Sequence, residues 1–249
     1  MAEQIYTIPF TDALMADDEC PICWLRRKSE QDLLDFVLGS GASYMESDMR
    51  AKTDEAGFCK EHFRKMFVYG NSLGNAWILK THYMQIESEM DKAFSKYKPG
   101  KVKHDRKTGE STNPIVAWAK GRGGRCYLCE REKAHHDQCM QTFCHLWHND
   151  PEFKERAKSC KGFCVSHFGD LCDAVDTKLS AKEAEEFYNA FIPKMKENVH
   201  RVFEDVSWFV EKFRYENKDA DWKSSKDAVQ RGMQKLKGGY PADSDYKHS

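Results

Sequence analysis

Eight cysteine and histidine side chains recur in two copies of one spacing, and they are the residues of this 249-residue chain best suited to chemistry. Each copy has a Cys-x-x-Cys pair and a later Gly-Phe-Cys-x-x-His box, with 35 or 34 residues between the second cysteine of the pair and the cysteine of the box. Three thiolates and one imidazole suit zinc, and four protein ligands make a closed tetrahedral site. The pattern therefore predicts two bound ions, and zinc is the favoured metal. The eight residues are Cys20, Cys23, Cys59, His62, Cys126, Cys129, Cys164 and His167.

The two copies indicate an internal duplication, because matched positions differ by 106 in the cysteine pairs and by 105 in the boxes. We therefore predict that each half holds its own ion and that each ion clamps the ends of an intervening helical hairpin. A closed site has no open position for substrate, which favours a structural role. One predicted site comprises Cys20, Cys23, Cys59 and His62, and the other comprises Cys126, Cys129, Cys164 and His167.

Other interpretations of these residues stay open. The same ligands suit an iron–sulfur cluster, which would favour a redox protein or another enzyme. Buried reduced cysteine is common in protein cores and needs no metal. A thioredoxin-like site would need a βαβ context, which the sequence does not indicate.

The composition predicts an all-α fold of two pseudo-repeated helical halves. Hydrophobic residues make up 40% of the chain and charged residues 32%, which is typical of amphipathic helices with solvated outer faces. Capping-box patterns, in which Ser and Glu satisfy free backbone N–H groups, occur at Ser43–Glu46 and Ser180–Glu183. An extended segment is expected only at 5–10. The predicted helices cover about 25–37, a segment following Ser43, 59–97 with a possible bend at its glycines, 128–148, 164–177, 181–215 and 227–237.

The halves are predicted at 1–97 and 125–249, with a basic linker at 98–124. Pro and Gly are frequent there. Residues 96–125 contain nine basic and two acidic side chains, although the net charge of the chain is −1. Such a stretch suits a solvated connector. Because its lysines and arginines also suit phosphates, nucleic-acid binding is a third, less favoured function.

Two further groups of residues have chemical potential, although ordinary structural roles are favoured for both. A Cys/His-rich group would allow an extra metal or a thiol pair, and a polar group would allow an interhelical cavity with acid–base chemistry. The first comprises His135, His136, Cys139, Cys144, His145, His148, Cys160 and Cys172. The second comprises Tyr44, Glu46, Asp48, Arg50 and His82, near Trp77, Thr81 and Tyr83.

The sequence predicts a soluble, cytoplasmic protein without a membrane partner. Its longest apolar runs are only a few residues, and its N-terminus lacks the features of a secretory signal. Ten cysteines in a reducing compartment suit metal ligation better than disulfides. An unidentified protein or small molecule is the expected partner.

The order of these boxes resembles an uncharacterised family of bacterial and archaeal proteins, a domain of unknown function, over nearly the whole chain. The resemblance implies no activity, and residues 98–114 fall outside it. It is carried by Ile5-Tyr-Thr-Ile-Pro9, Glu19-Cys-Pro-Ile-Cys23, Ser43-Tyr-Met-Glu-Ser-Asp48, Gly57-Phe58-Cys59 with His62, Leu73-Gly74 with Thr81-His82, Cys126-Tyr-Leu-Cys129, Gly162-Phe163-Cys164 with His167, and Phe213-Arg-Tyr215.

Overall fold

The computed structural model describes residues 3–104 and 106–247, and over these residues the chain is all-α, as predicted. An isolated β-bridge joins His104 to Ser111, but no strand forms in the described part. None of the described helices is both long and apolar enough to cross a membrane. The helices are α1 (Glu3–Met15), α2 (Pro21–Leu38), α3 (Ser47–Ala56), α4 (Lys60–Tyr69), α5 (Ser72–Ser95), α6 (Pro114–Gly123), α7 (Tyr127–Asn149), α8 (Pro151–Ser159), α9 (Val165–Lys178), α10 (Ala181–Glu211) and α11 (Ala228–Lys237).

One of the two predicted capping boxes forms. Ser180 caps α10, and its backbone N–H donates to the Glu183 carboxylate at 3.0 Å. At the other, Ser43–Met45 make a single 3₁₀ turn and α3 begins only at Ser47, without a side-chain cap. Ala42 lies in the left-handed region at φ 52°, so the chain enters the 3₁₀ turn through a tight bend instead of a capping box.

The single helix predicted over 59–97 is two helices, α4 and α5. Gly70 ends α4 with φ 100°, a conformation that glycine adopts without steric cost. Asn71 then caps α5, because its side-chain oxygen accepts the Gly74 N–H at 2.8 Å. The segment 5–10, predicted to be extended, is part of α1.

Besides α1, two further helices occupy segments for which the sequence predicted none. Helix α6 lies inside the predicted linker, and α8 follows α7 directly. Both begin with proline, after a capping residue, Asn113 or Asp150. Asn-Pro and Asp-Pro are turn signals, but proline is also favoured in the first turn of a helix, where its missing N–H is not needed.

The described chain separates into two compact units that cut across the predicted halves. The first unit comprises Met1–Ser29 and Ala134–Ser244, and the second comprises Glu30–Lys133 and Asp245–Ser249. Two of the three boundaries fall within α2 and α7. Each unit therefore combines segments from both copies of the repeat.

The core of the first unit is rich in aromatic rings. Phe143 stacks on Trp147 of the same helix α7, with ring centroids 5.9 Å apart, and Phe187 contacts Phe191 one turn along α10 at 4.8 Å. Burying each such side chain contributes roughly 1.5–3 kcal/mol. Cys20, Cys23 and Cys164 belong to the same buried cluster, so this core surrounds one of the cysteine groups.

The core of the second unit is mainly aliphatic. It joins side chains of α2, α3, α4, α5 and the start of α7. Tyr69 is buried there and satisfies its hydroxyl by donating to Asp35 at 2.6 Å. The buried residues of this cluster include Leu34, Val37, Leu38, Met49, Met66, Ile78 and Leu128.

Candidate metal centres

Four of the predicted ligand residues meet inside the first unit, in a group that could hold a metal ion, and we call this group the first centre. It comprises Cys20, Cys23, Cys164 and His167, all of them buried. The Nδ1 atom of His167 lies 3.4 Å from the Cys20 sulfur and 3.5 Å from the Cys23 sulfur. The sulfurs of Cys23 and Cys164 are 3.9 Å apart.

The second centre lies in the second unit and repeats this arrangement. It comprises Cys59, His62, Cys126 and Cys129. Here Nδ1 of His62 faces three sulfurs, at 3.2 Å from Cys126 and 3.3 Å from both Cys59 and Cys129. Unlike the first centre, this one reaches the surface, since Cys129 is exposed and Cys59 is half-buried.

All eight predicted residues are therefore found in the two groups, but the predicted pairing is wrong. Each Cys-x-x-Cys pair meets the Cys-x-x-His box of the other repeat. Helix length explains the exchange. Helix α2 has 18 residues and rises about 27 Å, whereas α3, which leads to the first box, has ten and rises about 15 Å. A hairpin of such unequal arms does not return the box to the start of α2.

The second repeat has the same imbalance. Helix α7 has 23 residues and rises about 34 Å, whereas α8 has nine and rises about 14 Å. Each group of four residues therefore joins the start of a long helix to the Cys-x-x-His box of the other repeat, and it does not clamp the two ends of one hairpin.

Each centre is built where two helices begin. Cys59 caps α4 and accepts the His62 N–H through its sulfur at 3.5 Å, and Cys164 caps α9 and accepts the His167 N–H at 3.4 Å. The Cys-x-x-Cys pairs stand at the starts of α2 and α7. Free N–H groups and the positive end of the helix dipole stabilise thiolates at such positions.

Within each centre the thiol pKa values diverge. Contact with Cys20 and Cys23 lowers the pKa of Cys164, and at the second centre, against the effect of burial, contact with His62 lowers the pKa of Cys126 to about 6. Burial, followed by contact with Cys164 and Cys23, raises the pKa of Cys20 well above its usual value. At the second centre, burial and the neighbouring Cys126 raise the pKa of Cys129 to about 12. Several thiolates can share so small a volume only if a cation balances their charge, so the donor sets fit a divalent ion.

Carboxylates lie behind the imidazole of the second centre. The Nε2 atom of His62 is 3.2 Å from Glu30 and 3.4 Å from Glu132, while its Nδ1 faces the sulfurs. Lys65 pairs with the same Glu30. A carboxylate on the far nitrogen fixes the tautomer and orientation of a ligating histidine. The sequence analysis missed both residues, although Glu132 follows Cys129 by one helical turn.

Different groups cover the first centre. The His136 ring lies 5.4 Å from the His167 ring, and His136 Nε2 is 3.1 Å from Asp170. Burial, followed by the nearby His167, lowers the pKa of His136. At the end of α11, Gly238 has a φ of 78°, which L side chains rarely adopt, and a Cβ there would be in ordinary contact with the Cys164 sulfur at 3.4 Å.

The remaining cysteines and histidines of 135–172 do not gather into one site. His135 lies 3.7 Å from Cys139, but His145 contacts Asn149 and His148 contacts Glu183. The sulfur of Cys160 accepts the Gly162 N–H, and burial raises the pKa of Cys139 and Cys144. A thiol with a raised pKa is seldom ionised and reacts slowly. Most residues of this group are therefore better suited to packing and hydrogen bonding than to chemistry.

The polar group around Tyr44 and His82 joins α3 to α5. The Arg50 guanidinium donates to the Tyr44 carbonyl at 3.1 Å and lies 6.0 Å from the Trp77 ring. Thr81 donates to Asp54 at 2.9 Å, and His82 Nδ1 lies 3.1 Å from the Asp54 carbonyl. These contacts hold backbone segments in place.

The basic segment is partly engaged in ion pairs. Arg122 pairs with Glu89 and also donates to the carbonyls of Asp54 and Glu55. Arg125 bonds Glu130 at 2.9 Å. These two arginines join α6 and the start of α7 to their neighbours, which leaves fewer cations for phosphates than the sequence suggested.

Comparison with known proteins places the chain in one family. A model described as "Family of unknown function (DUF6062)" matches residues 1–243, so the chain belongs to that family. No curated protein and no solved structure matches it significantly.

Proposed function

Because the DUF6062 family carries no assigned activity, we propose a function from the two centres: the protein binds two zinc ions, one at each centre. The ions stabilise the helical fold. The role of the protein is to bind a protein or small-molecule partner. This assignment follows the donor sets, three thiols and one imidazole in each unit.

One observation carries the proposal: at each centre all four ligand atoms lie within 4.8 Å of one another. Ligands that share one zinc ion at about 2.0–2.3 Å lie about 3.3–3.8 Å apart at the corners of a tetrahedron. The sulfur–nitrogen distances of 3.2–3.5 Å and the sulfur–sulfur distances of 3.9 Å match that size.

The same spacing disfavours an iron–sulfur cluster. A cluster contains several irons and spreads its protein ligands over them, whereas a single zinc draws its ligands to one point. With four protein ligands, a zinc ion keeps no open position for substrate or activated water. This closed coordination favours a binding role over a catalytic one.

The test counts metal ions in double variants. We expect about two zinc ions per chain in protein purified without added metal. The Cys20→Ser/Cys164→Ser variant should lose one ion, because both residues serve the first centre. Cys20→Ser/Cys59→Ser should lose both ions, because it damages each centre. Mass spectrometry under native conditions reads the number of bound ions directly.

A matched control is Cys172→Ser, which replaces a half-buried cysteine outside both centres and should retain two ions. If Cys20→Ser/Cys59→Ser lost one ion and Cys20→Ser/Cys164→Ser lost two, each ion would lie within one repeat. A brown protein with bound iron and sulfide would instead favour the redox alternative. If every variant kept two ions, the assignment of the eight residues as ligands would be wrong.

A further inference from the structure

The three thiols of the second centre differ in how far solvent reaches them. Cys126 is buried, with 4% of its surface exposed, whereas Cys59 is half-buried and Cys129 is exposed. At the first centre, by contrast, none of the three cysteines is more than 3% exposed. A small oxidant dissolved in water therefore meets sulfur at the second centre first, because thiol oxidation follows exposure as well as thiolate character.

The two accessible sulfurs are also neighbours. The Sγ atoms of Cys59 and Cys129 are 3.9 Å apart, although the residues are 70 positions apart in the chain. Cys59 caps α4 and Cys129 lies in the first turn of α7, and the N-terminus of a helix stabilises a thiolate. An accessible cysteine with a second cysteine beside it is the usual arrangement of a redox-sensing thiol pair.

We propose that the second centre is a redox-modification site, at which a hydroperoxide oxidises Cys129 and a disulfide to Cys59 releases the bound ion. The inference deepens the proposed function and rests on it, since it takes the ion at the second centre to be zinc. Zinc has no redox chemistry of its own, so the electrons come from the sulfurs. The first centre has the same donors but stays loaded, because its sulfurs lie inside the core.

Two thiolates reduce one hydroperoxide in two steps. The Cys129 sulfur attacks the terminal peroxide oxygen, so that an S–O bond forms and the O–O bond breaks. The second oxygen leaves as water or an alcohol after taking a proton from solvent. The Cys59 sulfur then attacks the resulting sulfenic acid, the S–S bond forms, and the hydroxide that leaves takes a second proton to become water. Each sulfur gives up one electron, and the peroxide accepts both.

Disulfide formation removes two of the four zinc donors of this centre. Only Cys126 and His62 remain as protein ligands. A closed tetrahedral site needs four such ligands, so a site with two holds the ion far more weakly. Release of the ion is therefore the expected result of oxidation.

The test treats the full-length, zinc-loaded protein with hydrogen peroxide at about one to ten equivalents. A chromophoric chelator records zinc release, a thiol reagent counts free cysteines, and peptide mapping identifies the disulfide. We expect release of the ion of the second centre, loss of two of the ten thiols, and a bond that joins Cys59 to Cys129. A dithiol reductant with added zinc should restore the starting state.

A variant separates oxidation from metal binding. Cys129→His keeps four zinc donors but removes the attacking thiol, so zinc release by peroxide should become at least roughly tenfold slower. The matched control is Cys172→Ser, which replaces a half-buried cysteine outside both centres and should leave the release rate unchanged. Zinc content and circular dichroism before treatment verify loading and folding. If Cys129→His does not load, peptide mapping of the unaltered protein decides the inference.

Zinc content before treatment tests the proposed function, and the response to peroxide tests the redox site. A chain that holds two ions and keeps both, or that loses the ion of the first centre instead, overturns the redox site alone. A disulfide between Cys126 and Cys129, or sulfinic acid on Cys129 without a disulfide, overturns the pairing with Cys59. A chain without zinc at the second centre before treatment overturns the proposed function and this inference with it.

Discussion

The two centres share a ligand set but differ in their surroundings. At the first centre the cysteines belong to a buried aromatic cluster, and the end of α11 lies against their sulfurs. At the second, Cys129 is exposed and His62 faces two glutamates. In both, Nδ1 of the histidine points at the sulfurs. The shared donor set therefore determines which metal ion fits each centre. The different surroundings determine how much stability is lost when that ion is removed.

Burial couples the first centre to the folding of its unit. Removing an ion there would leave unbalanced thiols inside the core, whereas water reaches the second centre directly. Metal binding energy is folding energy where the site does not exist in the unfolded chain. We therefore expect the first ion to contribute more to stability and the second to exchange more readily.

The largest expected difference is in the effect of replacing one ligand. Cys164→Ser should destabilise the first unit by about 4 kcal/mol or more, and Cys126→Ser should destabilise the second by about 2 kcal/mol. The first value is larger because the damaged site is part of the core. Amide hydrogen exchange read by mass spectrometry separates the effects, with faster exchange expected in α9 for one variant and in α4 for the other.

Cys139→Ser is the control for this comparison, because Cys139 is buried in the same core as the first centre but is not one of its ligands. It should cost less, about 1 kcal/mol, through the polarity of the hydroxyl. Equal losses for Cys164→Ser and Cys126→Ser would show that burial does not separate the centres.

The sequence predicted what local chemistry determines. The eight clustered cysteine and histidine residues follow from spacing, the long helices from hydrophobic periodicity, and the start of α10 from the Ser180 capping box. The partner exchange depends on the unequal lengths of α2 and α3 and on packing over long sequence separations. Glu30 illustrates the limit: it follows the first cysteine pair on α2, yet its carboxylate contacts His62 of the other centre.

Prolines and glycines account for the local errors. Pro114 and Pro151 are compatible with both a turn and a helix start, and the structure has helices at both. Gly70 was read as a bend but ends a helix, because its φ of 100° falls outside the helical range. Whether a proline or glycine starts, bends or ends a helix depends on whether the next segment packs against a core. A single sequence does not show that packing.

The second prediction concerns the buried Lys235 of α11. Its ammonium group donates to the carbonyls of Glu19 and Lys161 at 2.8 and 2.9 Å and pairs with the Glu19 carboxylate at 3.1 Å. Because Glu19 precedes Cys20, these bonds hold α11 beside the first centre. Lys235→Met should loosen that cover at a cost of about 3 kcal/mol. Iodoacetamide labelling of Cys20 in the presence of a chelator should then become several-fold faster.

In the unaltered protein, Cys129 should be labelled before Cys20. Lys237→Met provides the control, since Lys237 is exposed on the same helix and should change neither rate. If Lys235→Met left Cys20 as slow as before, the protection of the first centre would come from the aromatic core alone.

The smallest expected effect concerns the glutamates behind His62. Their negative charge makes the imidazole a stronger donor and holds its ring toward the sulfurs. Glu30→Gln/Glu132→Gln keeps the side-chain shapes and removes the charge, so zinc affinity at the second centre should fall about tenfold. Competition with a chromophoric chelator measures this affinity, and the first centre should be unaffected. Glu61→Gln is the matched control, because Glu61 lies exposed beside His62 and pairs with Arg64. An equal loss in the control would mean that the general negative charge of this surface, and not the contact with Nε2, retains the ion.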